Sequence, residues 1–179
     1  AFLAHGVRSG CCYGEHRQRV WRGIRGDFDE SVRTYREAVD ISSDRSLRAR
    51  IQFALAEKLF SKEAFTDALS EFRVYLQGYG DIARNVGFPT DRVHYRMGNS
   101  YQQLAQVHLE RGEPAAAGPH LERAVAYYDT ILQRPDTPYK WESQFNRAYA
   151  LQSMGDVASE DRAERAYQAL VEEADESYV

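Results

Sequence analysis

Apolar and small side chains recur at spacings of three and four residues along most of the chain, which is the period of an amphipathic helix. Polar turns interrupt this pattern at residues 26–28, 63–65, 112–114 and 155–156. After the first three turns, a small residue, a large apolar residue and another small or apolar residue follow in the same order: Ser31, Tyr35 and Ala38; Ala68, Phe72 and Tyr75; Ala117, Leu121 and Ala124. The pattern predicts that a helix begins at each turn.

The segments before the last three turns have a helical pattern as well. A small residue lies seven positions before the first residue of each of these turns, at Ala56, Ala105 and Ala148. Small side chains at these points let a second helix pack closely. Each unit is therefore predicted to be a helix, a tight turn and a second helix. Because neither helix can cover its apolar stripe alone, the units must stack on one another.

These residues resemble the tetratricopeptide repeat (TPR) family, whose hallmark is a small residue in the first helix, a Gly-Asp-aromatic turn, and Ala and an aromatic residue in the second helix. The second unit matches through Ala56, Leu59, Phe65, Ala68 and Phe72, and the second half of the first unit matches through Gly26, Asp27, Phe28, Tyr35 and Ala38. The resemblance covers most of residues 15–174. It implies an all-α fold, a right-handed α-solenoid of TPR-like helical hairpins with about eight helices.

The same resemblance predicts the organisation of the chain. Residues 1–14 are expected to form an irregular N-terminal segment, and residues 15–179 a single TPR-like repeat domain. Its units are expected at about residues 15–43, 44–78, 91–135 and 138–174. Within the third unit, Gly118 and Pro119 are expected in the first turn of a helix, where the missing proline N–H costs little.

The chain departs from the family pattern in several ways. Its turns are 37, 49 and 43 residues apart, whereas the family period is 34 residues. Arg19 and Arg22 stand where small and apolar residues are expected, and a loop at residues 78–90 precedes a long helix predicted at 92–111. Longer units and the segment 135–139 resemble the envelope branch of the family, the outer-membrane assembly lipoproteins and Tol-Pal-associated repeat proteins. This likeness implies a bacterial complex subunit and favours the periplasm or cell envelope over the cytoplasm.

Composition narrows the function classes. The chain has 43% hydrophobic and 28% charged residues, which excludes a disordered protein. Its apolar runs are too short for a transmembrane segment. A formal net charge of −4 gives no support to nucleic-acid binding. We therefore expect a protein or peptide partner, no nucleic acid, and membership of a larger complex.

The sequence offers little for catalysis or metal binding. His94, His108 and His120 belong to no recognisable catalytic motif, so we expect no enzyme and no cofactor, and a packing role for His108. The N-terminal cluster of His5, Cys11, Cys12 and His16 has soft ligands but no common zinc spacing. We therefore expect no metal site, although a metal- or redox-linked accessory protein remains a second alternative.

The first helices of stacked hairpins line a concave surface, so their side chains outside the core stripe are candidate partner-binding residues. Aromatic and amide side chains there can bury an apolar anchor and bind a peptide backbone. The predicted groove consists of Arg50, Phe53, Glu57, Phe60, Asn99, Gln102, Gln106, Phe145, Tyr149 and Gln152. Arg50, Asn99 and Gln102 would supply hydrogen bonds. Glu57 would repel a partner's carboxylate.

Several alternatives stay open at this point. Phe53, Phe60 and Phe145 fit packing between neighbouring units as well as they fit the groove. Six aromatic residues are predicted to form either the junction of the third and fourth units or an exposed docking patch, and the junction is preferred: Tyr127, Tyr128, Tyr139, Trp141, Phe145 and Tyr149. The main functional interpretation is a non-catalytic scaffold or adaptor. Its first alternative is a structural subunit of a cell-envelope or other assembly, which would use the convex side or the loop at 78–91.

Overall fold

The computed structural model describes residues 28–176, and within that range the chain forms seven α-helices and no strand. They are α1 (Phe28–Ile41), α2 (Arg45–Ser61), α3 (Phe65–Tyr79), α4 (Thr90–Glu110), α5 (Pro114–Leu132), α6 (Lys140–Gln152) and α7 (Val157–Glu176). The eighth helix, predicted before the turn at residue 26, and the segment 1–14 lie outside the described residues. The division into four units stays a prediction, because the first unit would begin there.

Each helix packs against the next one along the chain, and α4 also contacts α6. The helices thus form consecutive antiparallel hairpins that lean on one another. One continuous core runs between them and contains the small and aromatic residues of the repeated pattern, including Ala56, Ala68, Phe72, Ala105 and Ala124. The prediction of an all-α solenoid of helical hairpins is confirmed.

The turns between helices use the left-handed backbone region. Gly112 has φ 72° and Gly155 has φ 70°, which glycine adopts without a Cβ penalty. Glu63 occupies the corresponding position after α2 with φ 61°. There the backbone N–H of Ala64 donates to the carbonyl of Leu59 at 3.0 Å, which closes the helix end. At Gly112 the N–H of Glu113 likewise donates to the carbonyl of His108, at 2.9 Å, so the turns at Glu63 and Gly112 are closed in the same way although their sequences differ.

The loop at residues 80–89 folds back onto α2 and α3. The Phe88 ring stacks on the ring of Phe53 with centroids 4.1 Å apart. The Tyr75 hydroxyl donates to the backbone carbonyl of Phe88 at 2.8 Å. Phe53 is consequently only 2% exposed, so its predicted place in an open groove is wrong. The loop covers it.

The helix bounds are close to the predicted ones, with one correction. The long helix predicted at 92–111 is α4, from Thr90 to Glu110. Pro119, however, lies inside α5 and not in its first turn, because that helix begins at Pro114. Within residues 28–176, no helix combines the length and the apolar composition that a bilayer crossing requires.

Candidate functional site

Side-chain contacts join α2, α4 and α6 along one side of the array. The Arg96 guanidinium donates to Glu57 of α2 at 2.8 Å, and Asn146 Nδ2 of α6 donates to Asn99 Oδ1 of α4 at 3.4 Å. On the other side, Arg36 of α1 pairs with Glu71 of α3 at 3.0 Å. We call the first side the α2/α4/α6 face. It is the face on which the sequence predicts the groove.

An amide cluster occupies the middle of this face. The Tyr128 hydroxyl of α5 reaches between the helices, 2.8 Å from Asn99 Oδ1 and 2.7 Å from Gln102 Oε1. A hydroxyl carries one proton, so it donates to one of these amides, and the other amide presents its NH2 group to the hydroxyl oxygen. Asn146 Nδ2 contacts Asn99 and, at 3.3 Å, the Tyr95 hydroxyl.

Tyr128 holds the amide cluster in place because its own side chain is packed in the core. Its side chain is fully buried, and burial raises its pKa, so the hydroxyl stays neutral and protonated. Asn99, Gln102 and Asn146 are half-buried. Each amide is therefore held by Tyr128 or by a neighbouring amide, and part of its surface stays exposed to solvent.

A cationic region adjoins the amide cluster on α2 and α4. Glu57 faces two guanidinium groups, with Arg96 at 2.8 Å and Arg92 at 3.8 Å. Arg96 lies over the Phe60 ring at 4.8 Å, and Arg92 lies over the Phe53 ring at 5.0 Å. Two positive charges outweigh one negative charge here. The expectation that Glu57 repels a carboxylate is therefore wrong, because a sequence pattern on α2 alone does not include the arginines of α4.

The remaining predicted groove residues are spread along the array. Arg50 is exposed on α2, and Gln106 Nε2 donates to Glu110 of its own helix at 3.1 Å. Gln152 accepts a hydrogen bond from the Tyr167 hydroxyl of α7 at 3.4 Å. Phe145, 54% exposed, meets Tyr167 edge-on with ring centroids 6.0 Å apart.

Phe145 and Gln152 thus lie toward α7 at the end of the array, away from the amide cluster. Tyr149 also lies on this side. Burial raises the pKa of Tyr167, and the neighbouring Tyr149 raises it further. The ten predicted residues therefore do not form one groove. Asn99 and Gln102 belong to the amide cluster, and Glu57 and Phe60 belong to the cationic region. The α6 residues belong to a separate surface at the end of the array.

The predicted aromatic cluster divides in the same way. Tyr139 stacks on Tyr95 with ring centroids 5.0 Å apart, and Tyr127 stacks on Tyr101 at 5.7 Å. These contacts, with the buried Tyr128, form packing between helices. Trp141, at 42% exposure, stands at the surface with Phe145 and Tyr149. The junction preferred from the sequence is therefore wrong for these three residues, which are exposed as in the alternative.

Four residues of the α2/α4/α6 face were not among the predicted ones: Arg92, Tyr95, Arg96 and Asn146. A signal for two of them exists in the sequence, because Arg92 and Arg96 precede Asn99 by seven and three positions and share its helix face. Asn146 has no such signal. Its role depends on how α6 is placed beside α4.

The described histidines lie between α4 and α5, where His94 contacts Tyr127 and His108 contacts His120. His108 is half-buried at the helix edge and not a core residue, with its Nδ1 2.7 Å from Glu113 Oε2 and its ring stacked on His120 at 5.5 Å. Burial, and then the nearby charge of His108, lower the pKa of His120. Within residues 28–176, no group of three His, Cys, Asp or Glu side chains is placed to hold a metal. The cluster of His5, Cys11, Cys12 and His16 lies outside that range.

No family model matches the chain, and no curated protein matches it. Several solved structures match it, and two of them are compared with it over most of its length. One is a Podospora anserina protein, described as a kinesin light chain with nearly identical TPR-like repeats, which is 21% identical, with 89% of this chain and 72% of that chain covered and a TM-score of 0.43. The other is a single-residue variant under the same description, 16% identical, with coverages of 93% and 95% and a TM-score of 0.32. By the packing of its own helices, the described chain is an all-α solenoid of stacked hairpins.

Proposed function

We propose that the protein is a non-catalytic interaction scaffold that binds a peptide segment of a partner protein across the α2/α4/α6 face. The observation that supports this most directly is the amide cluster of Asn99, Gln102 and Asn146. Within residues 28–176, its contacts use one end of each amide: the ends of Asn99 and Gln102 that face the Tyr128 hydroxyl, and Asn146 Nδ2. The opposite ends of the three amides are left to pair with a peptide backbone, which needs both donors and acceptors.

The rigidity of the face supports the same proposal. The amides project from helices whose small residues are packed in the core, and Tyr128 orders them before any partner arrives. The conformational entropy lost on binding is therefore mainly that of the partner and hardly that of the scaffold. Binding to such a platform requires no conformational change in the protein.

The charge of the face indicates which segments it would prefer. Arg92 and Arg96 outweigh Glu57, and the exposed Arg50 lies on α2 near this region. The amide cluster beside it is neutral. We infer a peptide with an acidic part over α2 and α4 and a polar or aromatic part over α4 and α6.

The test is a selection of peptides from a random library on the full chain, followed by titration of the selected peptides. The double variant Asn99→Ala/Asn146→Ala should weaken their binding at least tenfold, because it removes two paired amides from the site. The variant Arg92→Gln/Arg96→Gln should weaken acidic peptides more than neutral ones, and added salt should have the same effect.

The matched control is Gln77→Ala on α3, an exposed amide away from the α2/α4/α6 face, which should leave binding unchanged. Thermal unfolding followed by circular dichroism shows whether each variant keeps its fold. If selected peptides bind N99A/N146A as tightly as the parent chain, or if no peptide is selected, the proposal is wrong.

The alternative of a structural subunit, and the placement in a bacterial envelope, stay predictions. Deleting the loop at 78–91 would not test the subunit alternative. Phe88 covers Phe53 and accepts the Tyr75 hydrogen bond, so the deletion would damage the fold itself.

A further inference from the structure

The last two helices form an open groove at the end of the array. Its lining comes from α7 and from the C-terminal end of α6, and includes Gln152, Ala163, Tyr167 and Val171. Val171 is 62% exposed, although it continues the apolar line of Ala163 and Tyr167 at intervals of four residues. Phe145 extends the apolar surface from α6 through its contact with Tyr167. A groove with such an apolar line can bind one more helix.

The groove is acidic along one side. Glu160, Glu164 and Glu172 follow one another on α7 at intervals of four and eight residues, parallel to the apolar line. The residues that line the groove include no Lys or Arg. A helix that is complementary to both the apolar line and the acidic side of the groove has an apolar face and a basic face. An acidic or uncharged helix would satisfy only the apolar part.

The chain itself contains a segment with these properties. Residues 15–25 have the sequence Glu-His-Arg-Gln-Arg-Val-Trp-Arg-Gly-Ile-Arg. Four arginines stand against one glutamate, which gives a formal charge of 4 − 1 = +3. Val20 and Trp21 precede Ile24 by four and three positions, which is the spacing of an apolar helical stripe. Arg19 and Arg22 are the residues that depart from the repeat pattern, so this segment is a poor match for a place inside its own array.

We propose that the α6/α7 groove binds residues 15–25 of a second copy of this chain, so that copies associate head to tail. Val20, Trp21 and Ile24 of one copy pack on Tyr167 and Val171 of the next. The arginines face the carboxylates of Glu160, Glu164 and Glu172. The two surfaces are different, so the contact is heterologous, and its repetition gives open chains of copies.

The same chain cannot easily fill its own groove. Residue 25 is three residues from Phe28, a distance of at most about 11 Å for an extended chain. Phe28 begins α1, which packs on α2, whereas the groove is on α7, which packs on α6. Five helices lie between the two ends in the order of packing.

Sedimentation velocity on the full chain over a hundredfold concentration range tests the proposal. The weight-average mass should rise with concentration and fall when the salt is raised from 50 to 500 mM, because exposed charges are screened. Reversal of the groove charges in Glu164→Lys/Glu172→Lys should weaken association at least tenfold. Reversal of the segment charges in Arg19→Glu/Arg22→Glu should do the same.

Mixing the two variants gives the decisive result. The reversed segment of one variant then meets the reversed groove of the other, while the unchanged segment and groove meet at the next contact, so association should return. The matched control is Asp136→Lys/Asp161→Lys, which changes the net charge by the same amount at exposed positions outside the lining and should leave association unchanged. Circular dichroism confirms that each variant is folded.

Three results would overturn the proposal. The first is a monomer at every concentration. The second is association that E164K/E172K leaves intact. The third is association that E164K/E172K weakens but R19E/R22E does not, because the groove would then receive another part of the chain. If the chain is monomeric and R19E/R22E lowers its thermal stability, residues 15–25 pack on their own copy instead.

Discussion

Two buried tyrosines connect the core of this protein to its polar contacts. Tyr75 and Tyr128 are both fully buried, and each hydroxyl has a hydrogen-bond partner, the Phe88 carbonyl in one case and the Asn99 and Gln102 amides in the other. A buried hydroxyl without a partner would cost about 1–3 kcal/mol. Their rings therefore fill the core, while their hydroxyls position the loop at 80–89 and the amide cluster.

Replacement of Tyr75 by Phe should change how stability depends on pH. Burial raises the pKa of Tyr75 to about 12, whereas an unfolded tyrosine ionises near 10. The stability that depends on the neutral phenol is therefore fully present below about pH 10 and is lost as the pH rises from about 10 to 12. The variant loses the hydrogen bond to Phe88, about 1 kcal/mol at pH 8, but not this alkaline decline.

Urea unfolding at pH 8, 10 and 11 measures the effect. The difference in free energy of unfolding between the parent chain and Tyr75→Phe should shrink as the pH rises. Other tyrosines with raised pKa values, such as Tyr35 and Tyr127, remain in both proteins, so part of the decline persists in the variant. Two curves that stay parallel from pH 8 to 11 would show that Tyr75 does not resist ionisation.

At this scale the candidate site was predictable only in part. Asn99 and Gln102 were predicted because they lie off the apolar stripe of a long, regular helix. Phe53 also lies off its stripe, but a loop 35 residues later brings Phe88 onto it, and helical periodicity contains no information about such a cover. Asn146 was missed for the same reason, since its contact with Asn99 depends on the packing of α6 on α4.

Among the helix pairs, α4 and α5 come especially close at Gly98. A Cβ built on Gly98 would lie 2.7 Å from Cε1 of Tyr128. The Tyr128 ring cannot yield, because it is fully buried and its hydroxyl is held by Asn99 and Gln102. Gly78, by contrast, lies inside α3, and no atom beyond its chain neighbours and its own helix backbone is within 4 Å of its Cβ position. The two helical glycines thus provide a matched pair.

Gly98→Ala should destabilise the protein by about 1–3 kcal/mol, because overpacking outweighs the better helix propensity of alanine. Gly78→Ala should stabilise it by up to about 1 kcal/mol, because there the propensity acts alone. Urea unfolding monitored by circular dichroism gives both values. A stabilised G98A would show that Tyr128 moves aside and that the amide cluster is not rigid.

Helix existence and length followed from periodicity, but helix starts depended on details of the turns. The long α4 was predicted within two residues at each end. In α5 the signals conflicted, because Pro114 and Pro119 both suit a first turn. The earlier proline begins the helix, two residues after Gly112, whose αL conformation marks the turn that follows α4.

At the scale of the whole molecule, the array has interior helices and an end helix with unequal support. The interior helix α4 packs against α3, α5 and α6, whereas α7 packs against α6 alone among the described helices with extensive contacts. On the outer face of α7, Val171 is exposed. In a linear array, stability is a sum of units and nearest-neighbour interfaces. Opening of the terminal hairpin therefore breaks fewer interfaces and costs less free energy than opening of the middle of the array.

Hydrogen exchange followed by mass spectrometry should show this gradient. In the charge-reversed variant E164K/E172K, which keeps the groove empty at the concentrations used, backbone amides of α7 should exchange at least tenfold faster than those of α4 and α5, with α6 between them. Small additions of urea should narrow the difference, because global unfolding, through which α4 and α5 exchange, exposes more surface than opening of the terminal hairpin and responds more steeply to urea. In the parent chain at high concentration, α7 should gain protection if a second copy occupies its groove. Equal exchange of all helices would mean that the array unfolds as one unit, and the additive description would then fail for this protein.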